Sequence, residues 1–137
     1  MKELDIWHAQ VSEEALEPER PIIDAHHHLW RAGTPYEIDD LWADTRSGHN
    51  IVGTVFIECG SEYRLDGPIS LRPVGENAYV RRQVEYSQRP KMMGQPPVLG
   101  MGSHSDLTLG TAVKDVRQAH AESAGGLLGG YRHSHAY

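Results

Sequence analysis

The chain has 137 residues, a length that predicts a single domain. Its 13 Lys and Arg residues are outnumbered by 19 Asp and Glu residues, and the net charge of −6 argues against binding to nucleic acid or to an anionic membrane. A single cysteine excludes an intramolecular disulfide. No apolar run approaches the roughly 20 residues that span a bilayer, and the acidic N-terminus lacks the apolar stretch of a signal peptide. We therefore expect a cytoplasmic protein.

Residues 1–20 are polar and mostly charged, and we predict that they form an N-terminal surface arm. The folded domain is expected to cover residues 21–137. It begins with a predicted strand over residues 21–30, because the β-branched residues Ile22 and Ile23 open this run and a turn follows it.

Helices and strands alternate over the rest of the chain. Thr34 and Glu37 have the spacing of a capping box, which predicts that a helix begins there and runs to Gly48. The apolar run at residues 51–57 is typical of a strand buried on both faces, as in parallel sheets. The later predicted elements are a helix at 76–88, a strand at 98–101, a helix at 108–123 and a strand at 129–133. This order predicts an α/β fold with a parallel sheet.

Histidine is frequent, with nine copies, and three of them are consecutive at residues 26–28. Side chains of a strand alternate between its faces, so His26 and His28 should share one face with Asp24, while His27 points the other way. Two histidines spaced in this way lie roughly 6–7 Å apart at the backbone. Both rings can then reach one divalent ion. The pair predicts two metal ligands, and the alternative is that these are ordinary polar residues at a strand end.

Several motifs, in order along the chain, resemble one known family. Residues 21–30 are similar to the first barrel strand of the amidohydrolase-related (amidohydrolase 2) family, which are TIM-barrel metal-dependent hydrolases. The resemblance continues through residues 48–60, 72–76 and 106–113, and residues 130–133 resemble the family's Gly-Ile-Arg-His strand. It implies a partial (β/α)8 barrel with about four parallel strands and intervening helices, which is the N-terminal half of a domain of about 250 residues. Leu, Ile, Val and Phe contribute only 28 residues, a thin core for a self-sufficient domain.

The same resemblance implies roles for four residues. His26 and His28 would be the ligands of a divalent metal, Zn or Mn, although some members of the family act without metal. Arg132 would hold a substrate carboxylate by a bidentate contact, and Glu58 would face the site. The alternatives are a surface ion pair for Arg132 and hydrogen bonding within a loop for Glu58. No catalytic residue is assigned, because the general base and the further ligands belong to strands that would form the second half of the barrel.

The expected function is hydrolysis of a lactone, ester or amide bond in a small carboxylated substrate, with the metal activating a water molecule. Because two ligands hold a catalytic ion poorly, we expect this chain to be inactive by itself. One alternative is a metal-independent lactonase or a decarboxylase of the same family. Another is a small metal-binding module that uses the histidine pairs at 26 and 28 and at 133 and 135, in which two copies close the sheet as a homo-oligomer. A third is a non-functional remnant.

Overall fold

Four parallel strands form one sheet in the computed structural model, which describes residues 3–11 and 13–133. The strand order along the sheet is β1-β2-β3-β4, the same as the order along the chain. The strands are β1 Pro21–His27, β2 Asn50–Ile57, β3 Val98–His104 and β4 Leu128–Arg132. The helices are α1 Glu3–His8, α2 Ile38–Thr45, α3 Val74–Ser87 and α4 Val113–Ala124, with short 3-10 helices at Ile69–Leu71, Pro90–Met92 and Leu107–Ala112. The predicted α/β fold with a parallel sheet is confirmed.

The core lies on one face of the sheet, between the strands and the helices α2, α3 and α4. Its strand residues include Phe56 and Met101, and its helix residues include Trp42, Tyr79 and Val80, all of them nearly or fully buried. Right-handed crossovers place every helix on the same face when neighbouring strands follow one another in order. The opposite face is therefore not covered by α2, α3 or α4.

The prediction that β2 is buried on both faces is wrong for this reason. Thr54 and Phe56 are buried beneath the helices, whereas Val55 and Ile57 on the other face are only partly buried. Leu99 of β3, on that same face, is 52 % exposed. An open hollow of about 460 Å³ runs over this face. We call it the open sheet face, lined by Val55, Ile57, Leu99 and the glycines of β3 and β4.

Helix α2 begins later than its predicted capping box. Trp30 and Tyr36 exchange two backbone hydrogen bonds of 2.9 Å and form an isolated antiparallel β-bridge, which closes the residues between them into a loop. The capping box is instead formed by Glu37 and Asp40, whose carboxylate accepts the Glu37 backbone N–H at 2.9 Å. The bridge therefore moves the start of the helix by three residues relative to a cap at Thr34.

The other predicted boundaries differ from the structure by a few residues. Helix α4 begins at Val113 rather than Thr108, because Gly110 takes φ 59° and ψ −132°, a backbone that interrupts the helix. Strand β1 ends at His27, three residues before the predicted end. The predicted polar arm contains the short helix α1, whose Trp7 is exposed.

Within residues 3–11 and 13–133, no helix combines the length and the apolarity that crossing a bilayer requires.

Candidate metal and substrate site

A β-bulge near the end of β1 decides which way its polar residues face. Asp24 pairs with Thr54 and His27 pairs with Phe56, so β1 has one more residue than β2 over this stretch. Both partners are buried on the helix-covered face. Asp24 therefore lies on that face with His27, and the prediction that it shares a face with the other two histidines is wrong. Its Oδ1 accepts the backbone N–H of His26 at 3.0 Å, which stabilises the irregular strand end.

His27 belongs to the core. Its side chain is buried, and its ring packs edge-on against Phe56 with 5.9 Å between the ring centroids. Neither ring nitrogen has a hydrogen-bond partner among the described residues. Burial lowers the pKa of His27 to about 4, so the ring is neutral at pH 7. The predicted division of the three histidines between two faces is confirmed.

His26 and His28 come together on the other face. Their ring centroids lie 5.0 Å apart with the rings nearly perpendicular. His26 is exposed and His28 is partly buried. The Nδ1 atom of His28 lies 2.8 Å from the carbonyl oxygen of Ile57. Because a carbonyl only accepts, Nδ1 carries a proton, and in the tautomer that this contact selects Nε2 keeps its lone pair.

This arrangement fits two ligands of a divalent ion. A ligating imidazole generally donates its second nitrogen to a carbonyl or a carboxylate, which fixes the tautomer and the ring orientation. The His28 ring has this partner in Ile57, and the His26 ring lies beside it. In the part of the chain that the structure describes, no group of three or more His, Cys, Asp or Glu residues is placed to hold an ion. The described protein therefore supplies two donors at most.

Glu58 and Arg132 contact each other at the carboxyl ends of β2 and β4. Arg132 donates from Nε to Oε1 of Glu58 at 2.8 Å and from Nη2 to the Glu58 backbone oxygen at 2.8 Å. The Glu58 side chain is buried, whereas that of Arg132 is 40 % exposed. Glu58 follows Ile57 directly, so the ion pair lies at the same edge of the sheet as His28. Arg132 therefore forms the ion pair that was its predicted alternative role, through Nε and Nη2, and its Nη1 makes no hydrogen bond to the described residues.

A cavity of about 350 Å³ adjoins His28. Its walls are His28, Trp30, Ala32 and the loop from Cys59 to Glu62. Buried Glu76 holds that loop, because its Oε1 accepts the backbone N–H groups of Cys59 at 3.1 Å and of Ser61 at 2.8 Å. Burial raises the pKa of the Glu76 carboxyl. The role of Glu76 was not predicted from the sequence, although a carboxylate in the first turn of the helix after the loop is a signal for it.

His133 lies away from this pair, beside residues at the carboxyl end of β3. His133 Nδ1 accepts the backbone N–H of Leu107 at 3.2 Å and lies 3.7 Å from Asp106. The His133 ring also packs edge-on against that of His104, with 5.5 Å between the centroids. His135 lies outside the described residues. The module with four histidine ligands therefore stays a prediction.

Comparison with known proteins finds no matching protein family, no matching curated protein and no matching solved structure. The resemblance to the amidohydrolase-related family thus stays a prediction based on the motifs.

Proposed function

We propose that this chain provides the N-terminal strands and two metal ligands of a hydrolase of the amidohydrolase-related type. Its substrate would be a small carboxylated lactone, ester or amide. The observation that carries the proposal is the pair of rings at His26 and His28, with the His28 tautomer set by the Ile57 carbonyl.

The sheet supports the proposal in a second way. Four parallel strands in chain order, with all the intervening helices on one face, are what one half of a (β/α)8 barrel requires. The open sheet face would then line the barrel interior. The histidine pair lies at the carboxyl end of β1, and active sites of such barrels lie at the carboxyl ends of the strands.

Each residue would have a separate task in the reaction. A bound divalent ion would lower the pKa of a water molecule and polarise the scissile carbonyl. His26 and His28 would bind the ion through neutral nitrogens, and the Ile57 carbonyl would keep the His28 ring in position. Arg132 would use Nη1 to hold a substrate carboxylate, while Glu58 fixes the guanidinium plane. The same histidines acting directly on the carbonyl would give the metal-independent lactonase, which is the alternative within this proposal.

Metal binding tests the first step. We expect the purified chain to bind Zn²⁺ or Mn²⁺ with one-to-one stoichiometry at pH 7.5 in isothermal titration calorimetry. Either His26→Asn or His28→Asn should weaken binding about tenfold or more, since the loss of a ligand or of its support has effects of this size. His49→Gln, a change at an exposed histidine, is the matched control and should change nothing.

Two results would count against the proposal. Equal affinity in the wild-type chain and in both site variants would show that any binding is elsewhere. A loss of affinity in His133→Asn as large as that in His28→Asn would favour the four-histidine module instead.

The reading frame after codon 137 gives a separate test, because a continuation should encode a further metal-ligating His and a terminal Asp.

A further inference from the structure

A second cavity, of about 640 Å³, lies on the far side of the loop that follows β2. It shares no lining residue with the cavity beside His28. One wall is the segment from Tyr63 to Pro73, and the other is formed by His104 at the carboxyl end of β3 together with Asp106 and Leu109, which follow it. Ligands of open parallel sheets bind at this end of the strands. The proposed metal site makes no use of the cavity.

Three side chains of this cavity have hydrogen-bond donors without a protein acceptor. They are the hydroxyl of Tyr63, the terminal nitrogens of Arg72 and the ring of His104, none of which has an acceptor among the described residues. Among residues 3–11 and 13–133, the Arg72 side chain has one hydrogen bond, a long one of 3.4 Å from Nε to the Gly67 carbonyl. Tyr63, Arg72 and His104 are all partly buried in the wall of this cavity. Such a wall is suited to an acceptor that carries negative charge.

The remaining walls limit the kind of anion. Ile69, Pro73 and Leu109 give the cavity an apolar surface. Asp106 contributes a carboxylate whose Oδ1 accepts from the Thr108 backbone N–H at 2.9 Å and from its hydroxyl at 2.6 Å. These hydrogen bonds lower the pKa of Asp106, so the wall keeps one negative charge. A dianion such as phosphate would be repelled more than a monoanion with an apolar body.

We propose that this cavity binds a small monocarboxylate with an apolar body. Arg72 holds the carboxylate, Tyr63 and His104 donate further hydrogen bonds, and the apolar residues cover the body of the ligand. The site needs no metal, and it stands or fails independently of the histidine pair on β1.

Titration calorimetry on the metal-free chain, with EDTA present, tests the proposal with benzoate as the probe. Benzamide has nearly the same shape without the charge, and inorganic phosphate has the charge without the apolar body. We expect saturable one-to-one binding of benzoate, with benzamide and phosphate each at least about tenfold weaker. Absence of saturable benzoate binding, or equal binding of benzamide or phosphate, would overturn the proposal.

Variants identify the cavity as the binding site. Arg72→Gln should lower benzoate affinity about tenfold, and Arg72→Lys should retain more of it because it keeps the charge. Tyr63→Phe should cost a few-fold. Arg82→Gln, on the exposed side of α3, is the matched control and should bind like the wild type. Circular dichroism confirms folding, and if Arg72→Gln unfolds, the Lys and Tyr63 variants decide. Unchanged affinity in every folded Arg72 and Tyr63 variant would rule the site out.

Discussion

His28 differs from His26 and His27 in the partner of one ring nitrogen. A carbonyl of the neighbouring strand holds its Nδ1, whereas His27 is buried without a partner in the described structure and His26 is exposed. Three identical residues in a row thus have three different environments. Strand alternation explains the separation of His27 from the other two, but only the register of β1 on β2 brings the Ile57 carbonyl to His28.

Buried His120 makes stability depend on pH. Its Nδ1 accepts a hydrogen bond from Asn77 Nδ2 at 3.0 Å, and burial lowers its pKa to about 4. The unfolded chain, with a histidine pKa near 6.5, takes up the proton first as the pH falls. The contribution of neutral His120 to the free energy of unfolding is therefore complete above pH 6.5 and is lost as the pH falls from 6.5 to 4. Between pH 7.5 and pH 4.5 this loss is roughly 2 to 3 kcal/mol.

Urea unfolding at pH 7.5 and pH 4.5 measures this loss. His120→Gln should shrink the difference between the two free energies of unfolding, whatever its effect at pH 7.5. His49→Gln, at an exposed position, should leave the difference as in the wild type. A His120→Gln chain with the full wild-type difference would contradict the assignment, and buried His27 would then be the remaining histidine with a lowered pKa.

At the scale of elements, the start of α2 depends on Glu37. Its Oε1 accepts from Arg31 Nε at 2.7 Å, from Gln83 Nε2 at 2.9 Å and from the Tyr79 hydroxyl at 3.3 Å. The same side chain also caps the helix. One carboxylate therefore joins the loop after β1 to helices α2 and α3. The Thr-x-x-Glu spacing that predicts a cap at Thr34 correctly locates Glu37 near the helix start but assigns it the wrong partner.

Two substitutions separate the predicted cap from the observed one. Glu37→Ala should lower the free energy of unfolding by about 2 kcal/mol, because it removes a cap and leaves its donors unpaired. Thr34→Ala should change it by less than about 0.5 kcal/mol, as expected for an exposed residue that caps nothing. Chemical denaturation of both variants measures this. An equal or larger loss in Thr34→Ala would contradict the capping seen in the structure.

At the scale of the whole molecule, helices α2, α3 and α4 cover the sheet on the same side, and the described residues leave the other side open. The open sheet face has exposed or partly exposed apolar residues, and within residues 3–11 and 13–133 no strand pairs with the outer edge of β1 or of β4. A two-fold axis parallel to the strands would pair β4 of one copy with β1 of another and keep all eight strands parallel. Unpaired edges and an apolar face both favour association.

We therefore expect the purified chain to self-associate. Sedimentation velocity should show species larger than the monomer, and Leu99→Lys should shift the distribution towards the monomer because it places a charge on the open sheet face. Leu65→Lys changes a residue that is 96 % exposed in a loop, and it should leave the distribution unchanged. A monomeric wild-type chain at micromolar concentration would contradict this expectation.

The sequence by itself determined the alternation of strands and helices, the parallel sheet and the division of His26, His27 and His28 between two faces. These follow from local periodicity, which a chain carries in its own order of residues. The tertiary structure alone decided that β2 is covered on one face, that Asp24 faces the helices, that Arg132 pairs with Glu58, and that Glu76 holds the loop beside His28. Each of these depends on the register between strands or on contacts between residues at least 15 positions apart, and no local pattern encodes them. The small number of Leu, Ile, Val and Phe residues has a physical reason, because in residues 3–11 and 13–133 helices α2, α3 and α4 bury one face of the sheet and leave the other open.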